Sequence, residues 1–237
     1  MIFHIEILRQ KDNFSDPYRQ SLTYEAADPE MTVATLLKTF NADPDLKDDS
    51  GNKVDPIKWE CSCLQKKCGA CAMRINGKPR LACDVKLGEF KKGEIILEPL
   101  KKFPVISDLI VDRSVMLDNL KAITLWLEKE ANHTKKGEEI AYEASRCLQC
   151  GCCLEVCPNY LPGDSFFSAA AFVPAARILS ELPKKEQAQI IGNYKNHVYQ
   201  GCGKSLSCRD ICPAQIDIEQ MLVNSNAVAV WKRYFNR

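Results

Sequence analysis

The first hundred residues carry the hydrophobic pattern of a mixed sheet with one helix. Residues 3–7 alternate between apolar and polar side chains, which is the period of a strand with one buried face. Residues 21–25 and 94–98 predict further strands, and the Asn76-Gly77 dipeptide predicts a hairpin. Thr32 is suited to cap a helix whose apolar positions form one stripe. These positions are Val33, Leu36, Leu37 and Phe40.

The second half of the chain follows a helical period instead. Asp112 or Ser114 is suited to cap the first of these helices. Further helices are predicted over residues 165–182, 184–200 and 216–235. The apolar positions that indicate the first helices are Leu109, Ile110, Val115, Met116, Leu120, Ile123 and Leu127.

The change of period indicates an α+β chain of two domains, residues 1–105 and 106–237. The composition, 46% hydrophobic and 27% charged, is that of a soluble globular protein. Because 32 Lys and Arg face 31 Asp and Glu, we expect no nucleic-acid partner. No apolar run approaches the roughly 20 residues of a membrane-spanning helix. The first residues also lack the pattern of a signal peptide.

Eleven of the thirteen cysteines fall into three groups with regular spacing. The first group keeps C-x4-C-x2-C and adds a fourth cysteine beyond the Asn76-Gly77 hairpin, which is the plant-type spacing for a 2Fe-2S cluster. Its members are Cys63, Cys68, Cys71 and Cys83. The order strand, strand, helix, cysteine loop, strands is that of a plant-type (β-grasp) ferredoxin domain.

The second and third groups indicate two more clusters in a helical domain that resembles a bacterial ferredoxin. The second group is a C-x2-C-x2-C-x3-C-P run formed by Cys147, Cys150, Cys153 and Cys157. In two-cluster ferredoxins the fourth cysteine of such a run ligates the other cluster. The third group repeats the run with Ser205 in place of one cysteine. Its cysteines are Cys202, Cys208 and Cys212.

If each fourth cysteine crosses to ligate the cluster of the other half, these ligands are divided between two clusters. This division predicts a 4Fe-4S cluster on one set and a 3Fe-4S cluster on the other, because Ser205 leaves the second set with three thiolates. A Ser205 hydroxyl that ligates a fourth iron remains an alternative. The 4Fe-4S set is Cys147, Cys150, Cys153 and Cys212. The 3Fe-4S set is Cys157, Cys202 and Cys208.

Two cysteines remain outside these groups, and disulfides or bound zinc are the alternatives to iron–sulfur clusters. Cys152 is expected to be a packed thiol, and Cys61, on a strand expected through Trp59 to Cys61, to be a bystander. Disulfides suit short secreted domains, whereas this chain is larger and has an odd cysteine count. Zinc is the stronger alternative, although zinc sites usually pair two separated C-x2-C motifs.

The whole chain resembles the iron–sulfur subunit of succinate:quinone and quinol:fumarate oxidoreductases. The resemblance rests on the cysteine groups, on C-G-A-C-A-M-R-I-N-G, on P-V-I-S-D-L-I-V-D-R-S and on C-x5-C-x3-C-P before a final helix. It implies a subunit of a succinate dehydrogenase or fumarate reductase that passes electrons between FAD in a catalytic partner and quinone. The implied order of the clusters between flavin and quinone is 2Fe-2S, 4Fe-4S, 3Fe-4S.

The resemblance also implies partners and a location. The subunit would dock on an FAD-containing catalytic subunit and on a quinone-binding membrane anchor, with haem b in that anchor left open. It would lie on the cytoplasmic face of a bacterial inner membrane. The stretch Y-L-P-G-D-S-F-F-S-A-A-A is similar to members that use menaquinone, and Pro158 and Tyr160 are the residues carried over to the quinone vicinity.

The chain departs from the family pattern in three places. The first loop reads C-L-Q-K-K-C where the family usually has C-R-E-G-[IV]-C, N-Y-L-P-G-D replaces a stretch that often holds Trp, and Ala214 replaces a common Lys. Two other functions stay open at this point. One is an electron carrier for a different flavoprotein, against which Ser205 and the plant-type domain count. The other is a zinc-stabilised interaction protein.

Overall fold

The structure, a computed structural model, describes residues 1–127, 130–131, 134–183 and 186–231. Two compact units divide the chain, Met1–Asp112 and Arg113–Arg237. The first contains the sheet and the second is helical, so the predicted fold class is confirmed. Among the described residues, no helix has both the length and the apolar character required to cross a membrane.

The first unit is built on a five-stranded mixed sheet. Its strands are β1 (Ile2–Arg9), β2 (Tyr18–Glu25), β3 (Ala72–Ile75), β4 (Lys78–Leu81) and β5 (Glu94–Glu98). The spatial order is β2-β1-β5-β3-β4, with β1 and β5 parallel and the other pairs antiparallel. Strand β5 has the predicted bounds, whereas β2 begins three residues before the predicted strand.

Local sequence signals account for the elements that flank the cysteine loop. Helix α1 (Val33–Ala42) begins after Thr32, whose hydroxyl accepts the Thr35 N–H at 3.2 Å, as predicted. All four predicted apolar positions of α1 are buried. Asn76 and Gly77 both have positive φ, 47° and 78°, which is the geometry of the tight hairpin turn that joins β3 to β4. The N–H of Ala34 in α1 also donates to the Ala82 carbonyl at 2.9 Å, directly before Cys83.

The boundary between the units lies later than the predicted position after residue 105. Strands β6 (Val105–Ser107) and β7 (Ile110–Val111) form a small antiparallel pair in the first unit. Asp108, between them, is buried and makes an ion pair with Arg9 of β1 at 3.0 Å. It also accepts the backbone N–H of Gln10. The helical interpretation of Leu109 and Ile110 is therefore wrong, since long-range contacts of Asp108 hold this segment to the sheet.

Seven helices form the described part of the second unit: α2 (Ser114–Ala122), α3 (Lys135–Ser145), α4 (Cys152–Val156), α5 (Ser168–Glu181), α6 (Ala188–Tyr194), α7 (Ser207–Asp210) and α8 (Ile218–Asn226). Two π-helical segments, Lys195–Tyr199 and Ala227–Trp231, extend α6 and α8. Neither Asp112 nor Ser114 caps α2, because Arg113 holds the cap position and Ser114 is the first helical residue. Residues 184–185 and 232–235 of the predicted helices lie outside the described residues.

Helix α5 is the central element of the second unit. Ten of its residues are buried, and its apolar side chains pack with those of α6 and α8 in one core. Cys147, Cys153, Cys202, Cys208 and Cys212 pack half-buried against this core. The cysteines of this unit are therefore held at the edge of a packed helical core.

Candidate iron–sulfur sites

The first cysteine group is brought together by the loop before β3 and the turn after β4. Cys71 lies directly before β3, and its carbonyl accepts the N–H of Ala82 at 3.1 Å, which places Cys83 beside it. The thiols of Cys71 and Cys83 are within hydrogen-bonding reach of each other, as are those of Cys63 and Cys68. The structure thus groups the four predicted residues of the first site.

Backbone N–H groups in this loop point at cysteine sulfur. Cys63 Sγ accepts the N–H of Gln65 at 3.3 Å and that of Lys67 at 3.2 Å, and Cys83 Sγ accepts the N–H of Lys66 at 3.3 Å. Two non-glycine residues of the loop, Leu64 and Lys66, have left-handed φ of 54° and 58°. Such alternation forms a concave nest of N–H groups that suits anions and iron–sulfur clusters.

The charge environment of these thiols differs within the group. The N–H of Gln65, together with that of Lys67, lowers the pKa of Cys63 to about 7, because both hydrogen bonds favour the thiolate. Burial raises the pKa of Cys71 to about 12. The thiolate form is therefore favoured for Cys63 at the exposed end of the loop and disfavoured for Cys71 at the buried end.

Cys61 is exposed, and the strand expected through Trp59 to Cys61 does not form. Directly before this segment, side chains bond three backbone groups of residues 57–58. The Asn41 amide brackets Ile57 by accepting its N–H and donating to its carbonyl, both at 2.8 Å. The N–H of Lys58 is taken by Asp108 at 2.9 Å. Because these partners are distant in sequence, no local sequence pattern predicts the contacts.

A first cavity in the second unit, defined here by Cys147, Cys150, Cys153 and Cys212, collects the residues of the predicted 4Fe-4S set. Apolar side chains of α5 and of the segment after Cys212 complete its walls. The Gln149 amide, which the cysteine spacing did not reveal, donates to Cys147 Sγ at 3.3 Å and to the Ala170 carbonyl of α5 at 3.2 Å. Gln149 therefore holds the loop against α5 and places a donor on a cysteine sulfur.

A second cavity is defined by Cys157, Cys202, Cys208 and Ser205. Phe166, Ser168, Phe172 and Leu222 contribute to its walls. Each cavity thus takes the fourth cysteine of the other half of the unit, as the crossing prediction requires. In the part of the chain that the structure describes, no three Cys, His, Asp or Glu side chains converge closely enough to hold a single metal ion. The cysteines surround cavities instead.

The loops of the two cavities share one backbone conformation. Gln149 and Gly151 have left-handed φ of 48° and 86°, and Lys204 and Leu206 have φ of 56° and 57°. Each residue of the second pair follows its counterpart by 55 residues, as Cys202 follows Cys147. Both loops therefore form the same nest of N–H groups, although Lys204 and Leu206 are side chains that rarely adopt this conformation.

Three other residues singled out by the sequence differ in burial. Cys152 is fully buried and its thiol donates toward Cys150, which lowers the pKa of Cys150 to about 7. Tyr160 is 1% exposed, and burial raises its pKa while a hydrogen bond with Asn119 opposes that shift. Pro158 is exposed. Tyr160 is not among the described residues that line the second cavity, and its position in the quinone vicinity stays a prediction.

Comparisons with known proteins agree with this arrangement. A family described as a 2Fe-2S iron–sulfur cluster binding domain matches residues 4–118, and one described as a 4Fe-4S dicluster domain matches residues 143–216. The succinate dehydrogenase iron–sulfur subunit of Bacillus subtilis is 32% identical over 233 residues, which cover 93% of this chain and 89% of that relative. The chain belongs to the family of succinate dehydrogenase and fumarate reductase iron–sulfur subunits.

Other members of this family support the same conclusion. The fumarate reductase iron–sulfur subunit of Wolinella succinogenes is 30% identical over 224 residues, 88% of each chain. A chain in the structure titled Mycobacterium smegmatis Sdh1 complex in the apo form superposes with a TM-score of 0.76 at 19% identity, over 98% of this chain and 97% of that one. The resemblance stated from the sequence is thus confirmed. The chain is an iron–sulfur electron-transfer subunit with a 2Fe-2S domain and a 4Fe-4S domain.

Proposed function

We propose that the chain relays electrons between FAD in a catalytic partner subunit and quinone at a membrane anchor, as part of a succinate dehydrogenase or fumarate reductase. The observation that carries this proposal is the division of the second unit's cysteines between two cavities, each completed by a cysteine from the other half. Two adjacent cluster sites in one small unit suit the passage of electrons rather than the stabilisation of a fold. The bound clusters would supply one-electron transfer.

In the first unit, Cys63, Cys68, Cys71 and Cys83 are proposed to hold the 2Fe-2S cluster. The N–H groups that already point at Cys63 and Cys83 would stabilise the charge on these thiolates. Hydrogen bonds to ligand sulfur raise the reduction potential, because they favour the more negative, reduced state. The loop conformation therefore both collects the ligands and adjusts their potential.

In the second unit, the 4Fe-4S cluster is assigned to the first cavity and the 3Fe-4S cluster to the second. The assignment of three irons rests on Ser205, which stands at the backbone position that Cys150 occupies in the other loop. A neutral hydroxyl is a poor ligand for iron beside soft thiolates. The second cavity therefore offers three thiolates, Cys157, Cys202 and Cys208.

Partner subunits are required because clusters held by cysteines cannot carry out the substrate reaction. Oxidation of succinate or reduction of fumarate moves a hydride, which one-electron centres do not carry, so the flavin belongs to a partner chain. We place the subunit at the cytoplasmic face of a bacterial inner membrane through its anchor, with menaquinone as the quinone. Pro158 is the exposed residue of the proposed quinone vicinity, whereas Tyr160 would act from beneath the surface.

The experiment compares the isolated chain with the purified complex. The isolated chain should be brown, carry its clusters and show no succinate oxidation with artificial dyes, while the complex should couple succinate to quinone. Dye-linked turnover by the chain alone would contradict the assignment of flavin chemistry to a partner. A colourless protein that contains zinc would support the interaction-protein alternative instead.

A further inference from the structure

The segments that carry the cysteines of the second cavity are joined by one side chain. Asn159, two residues after Cys157, donates its amide Nδ2 to the Gly201 carbonyl at 2.8 Å, directly before Cys202. The two partners are 42 residues apart in sequence. This hydrogen bond therefore ties the crossing cysteine of the second cavity to the loop that supplies its other two thiolates.

The first cavity has an equivalent bond with the roles reversed. Arg146, directly before Cys147, donates Nη2 to the Ala214 carbonyl at 2.7 Å, two residues after Cys212. The 55-residue repeat relates Arg146 to Gly201 and Asn159 to Ala214. The same two positions are joined in both halves, with the donor on opposite partners. We call these two bonds the crossing bonds.

Both crossing bonds are exposed to solvent, and specific neighbours orient each of them. A Cβ at Gly203 would lie 3.0 Å from Asn159 Nδ2, and one at Gly201 would lie 2.4 Å from the Phe166 ring. On the other side, Glu143 pairs with Arg146 at 2.7 Å and also accepts the N–H of Asp217 at 3.2 Å. Each bond is thus held in place by its own neighbours.

We infer that Asn159 and Arg146 are positioning residues, each of which secures the crossing cysteine of one cluster. The inference rests on the proposed cluster assignment. A cubane or its three-iron relative needs its sulfurs held on opposite sides, and the crossing cysteine reaches its cavity from a segment remote in sequence. Loss of a crossing bond should therefore loosen one cluster and leave the other in place.

The test uses the purified complex and two variants, Asn159→Asp and Arg146→Met. Asp keeps the size of Asn but replaces the donor with a carboxylate that faces the Gly201 carbonyl, and Met keeps the stem of Arg without its donors. Mössbauer spectroscopy of isotope-enriched protein counts each cluster type, and a ferrous chelator measures the rate of cluster loss. Arg146→Lys, which retains a donor, should restore much of the lost stability.

We expect Asn159→Asp to lose the 3Fe-4S cluster about fivefold faster than wild type, a factor set by the net worth of one hydrogen bond. Arg146→Met should do the same to the 4Fe-4S cluster. The 2Fe-2S signal of the other unit serves as the internal standard for folded protein. Should Asn159→Asp fail to assemble, Asn159→Ala provides a second variant, because it removes the amide donor without adding a charge.

Asn193→Asp is the matched control. Its amide also donates to a backbone carbonyl, that of Ala122, at 3.2 Å in the same unit, but it lines neither cavity among the described residues. It should leave both rates unchanged. Equal acceleration of both losses by either variant, or no change in either, would overturn the inference. The wild-type spectrum tests the proposed function separately, since it alone shows whether both cluster types are present.

Discussion

Ser205 occupies in one half of the helical unit the position that Cys150 occupies in the other. Each residue lies between two left-handed neighbours, and each lines the cavity formed by the cysteines of its own loop. The backbone around Ser205 therefore has the conformation of a complete cluster loop. At this ligand position the two sites differ in one atom, a hydroxyl oxygen in place of a sulfur.

Supplying that sulfur should change the cluster. Ser205→Cys gives the second cavity a fourth thiolate on a backbone that already suits it, so we expect a 4Fe-4S cluster there. The reduction potential of the site should fall, and quinone reduction by the complex should slow several-fold. Electron paramagnetic resonance of air-oxidised protein measures the loss of the three-iron signal.

Ser180→Cys is the control for this substitution. Ser180 lies in helix α5, donates its hydroxyl to the Arg177 carbonyl at 2.7 Å and lines neither cluster cavity among the described residues. It should leave the three-iron signal intact, and dye reactions at the flavin should continue in both variants. A three-iron signal that survives in Ser205→Cys would contradict the proposed role of the serine.

Cys61 and Cys63 should respond oppositely to substitution. Cys63 Sγ accepts two backbone N–H groups within the cysteine loop, whereas Cys61 is exposed before it. Cys63→Ser should weaken or abolish the 2Fe-2S signal in electron paramagnetic resonance, and Cys61→Ser should leave it unchanged. The reverse result would mean that the loop takes its first ligand from Cys61.

The pair formed by Arg9 and Asp108 should dominate the stability of the first unit. Both side chains are about 5% exposed, so Asp108→Ala would leave the Arg9 guanidinium buried without its counterion. We expect a loss of roughly 3–5 kcal/mol, measured by denaturant unfolding monitored through the visible dichroism of the 2Fe-2S cluster. Glu30→Gln removes the exposed partner of Lys86 and should leave the midpoint unchanged.

Local patterns allowed most of the first unit to be predicted. Alternation in residues 3–7, the Thr32 cap and the Asn76-Gly77 turn each act within a few residues, so the sequence displays them directly. The segment around Asp108 was misinterpreted as helical because its structure depends on Arg9, 99 residues away. A periodicity argument has no access to such a contact.

The candidate sites likewise contain features that the sequence predicts and features that only the structure reveals. Cysteine spacing predicted which sulfurs share a cavity, because three ligands of a cluster recur at short intervals and the fourth cysteine of each run crosses to the other cluster. It could not reveal Asn159 or Arg146, which reach carbonyls 42 and 68 residues away. It also could not show that Tyr160 is enclosed, since an aromatic residue after Cys-Pro is compatible with either a surface or a core position.

The central claim, a three-cluster relay with a three-iron site, is tested most directly by the iron of the wild-type chain. Iron analysis combined with Mössbauer spectroscopy of the purified complex should give about nine non-haem irons per chain, as one 2Fe-2S, one 4Fe-4S and one 3Fe-4S cluster. About ten irons with no three-iron component would show that Ser205 is a ligand and contradict the assignment. Zinc in place of iron would contradict the relay itself.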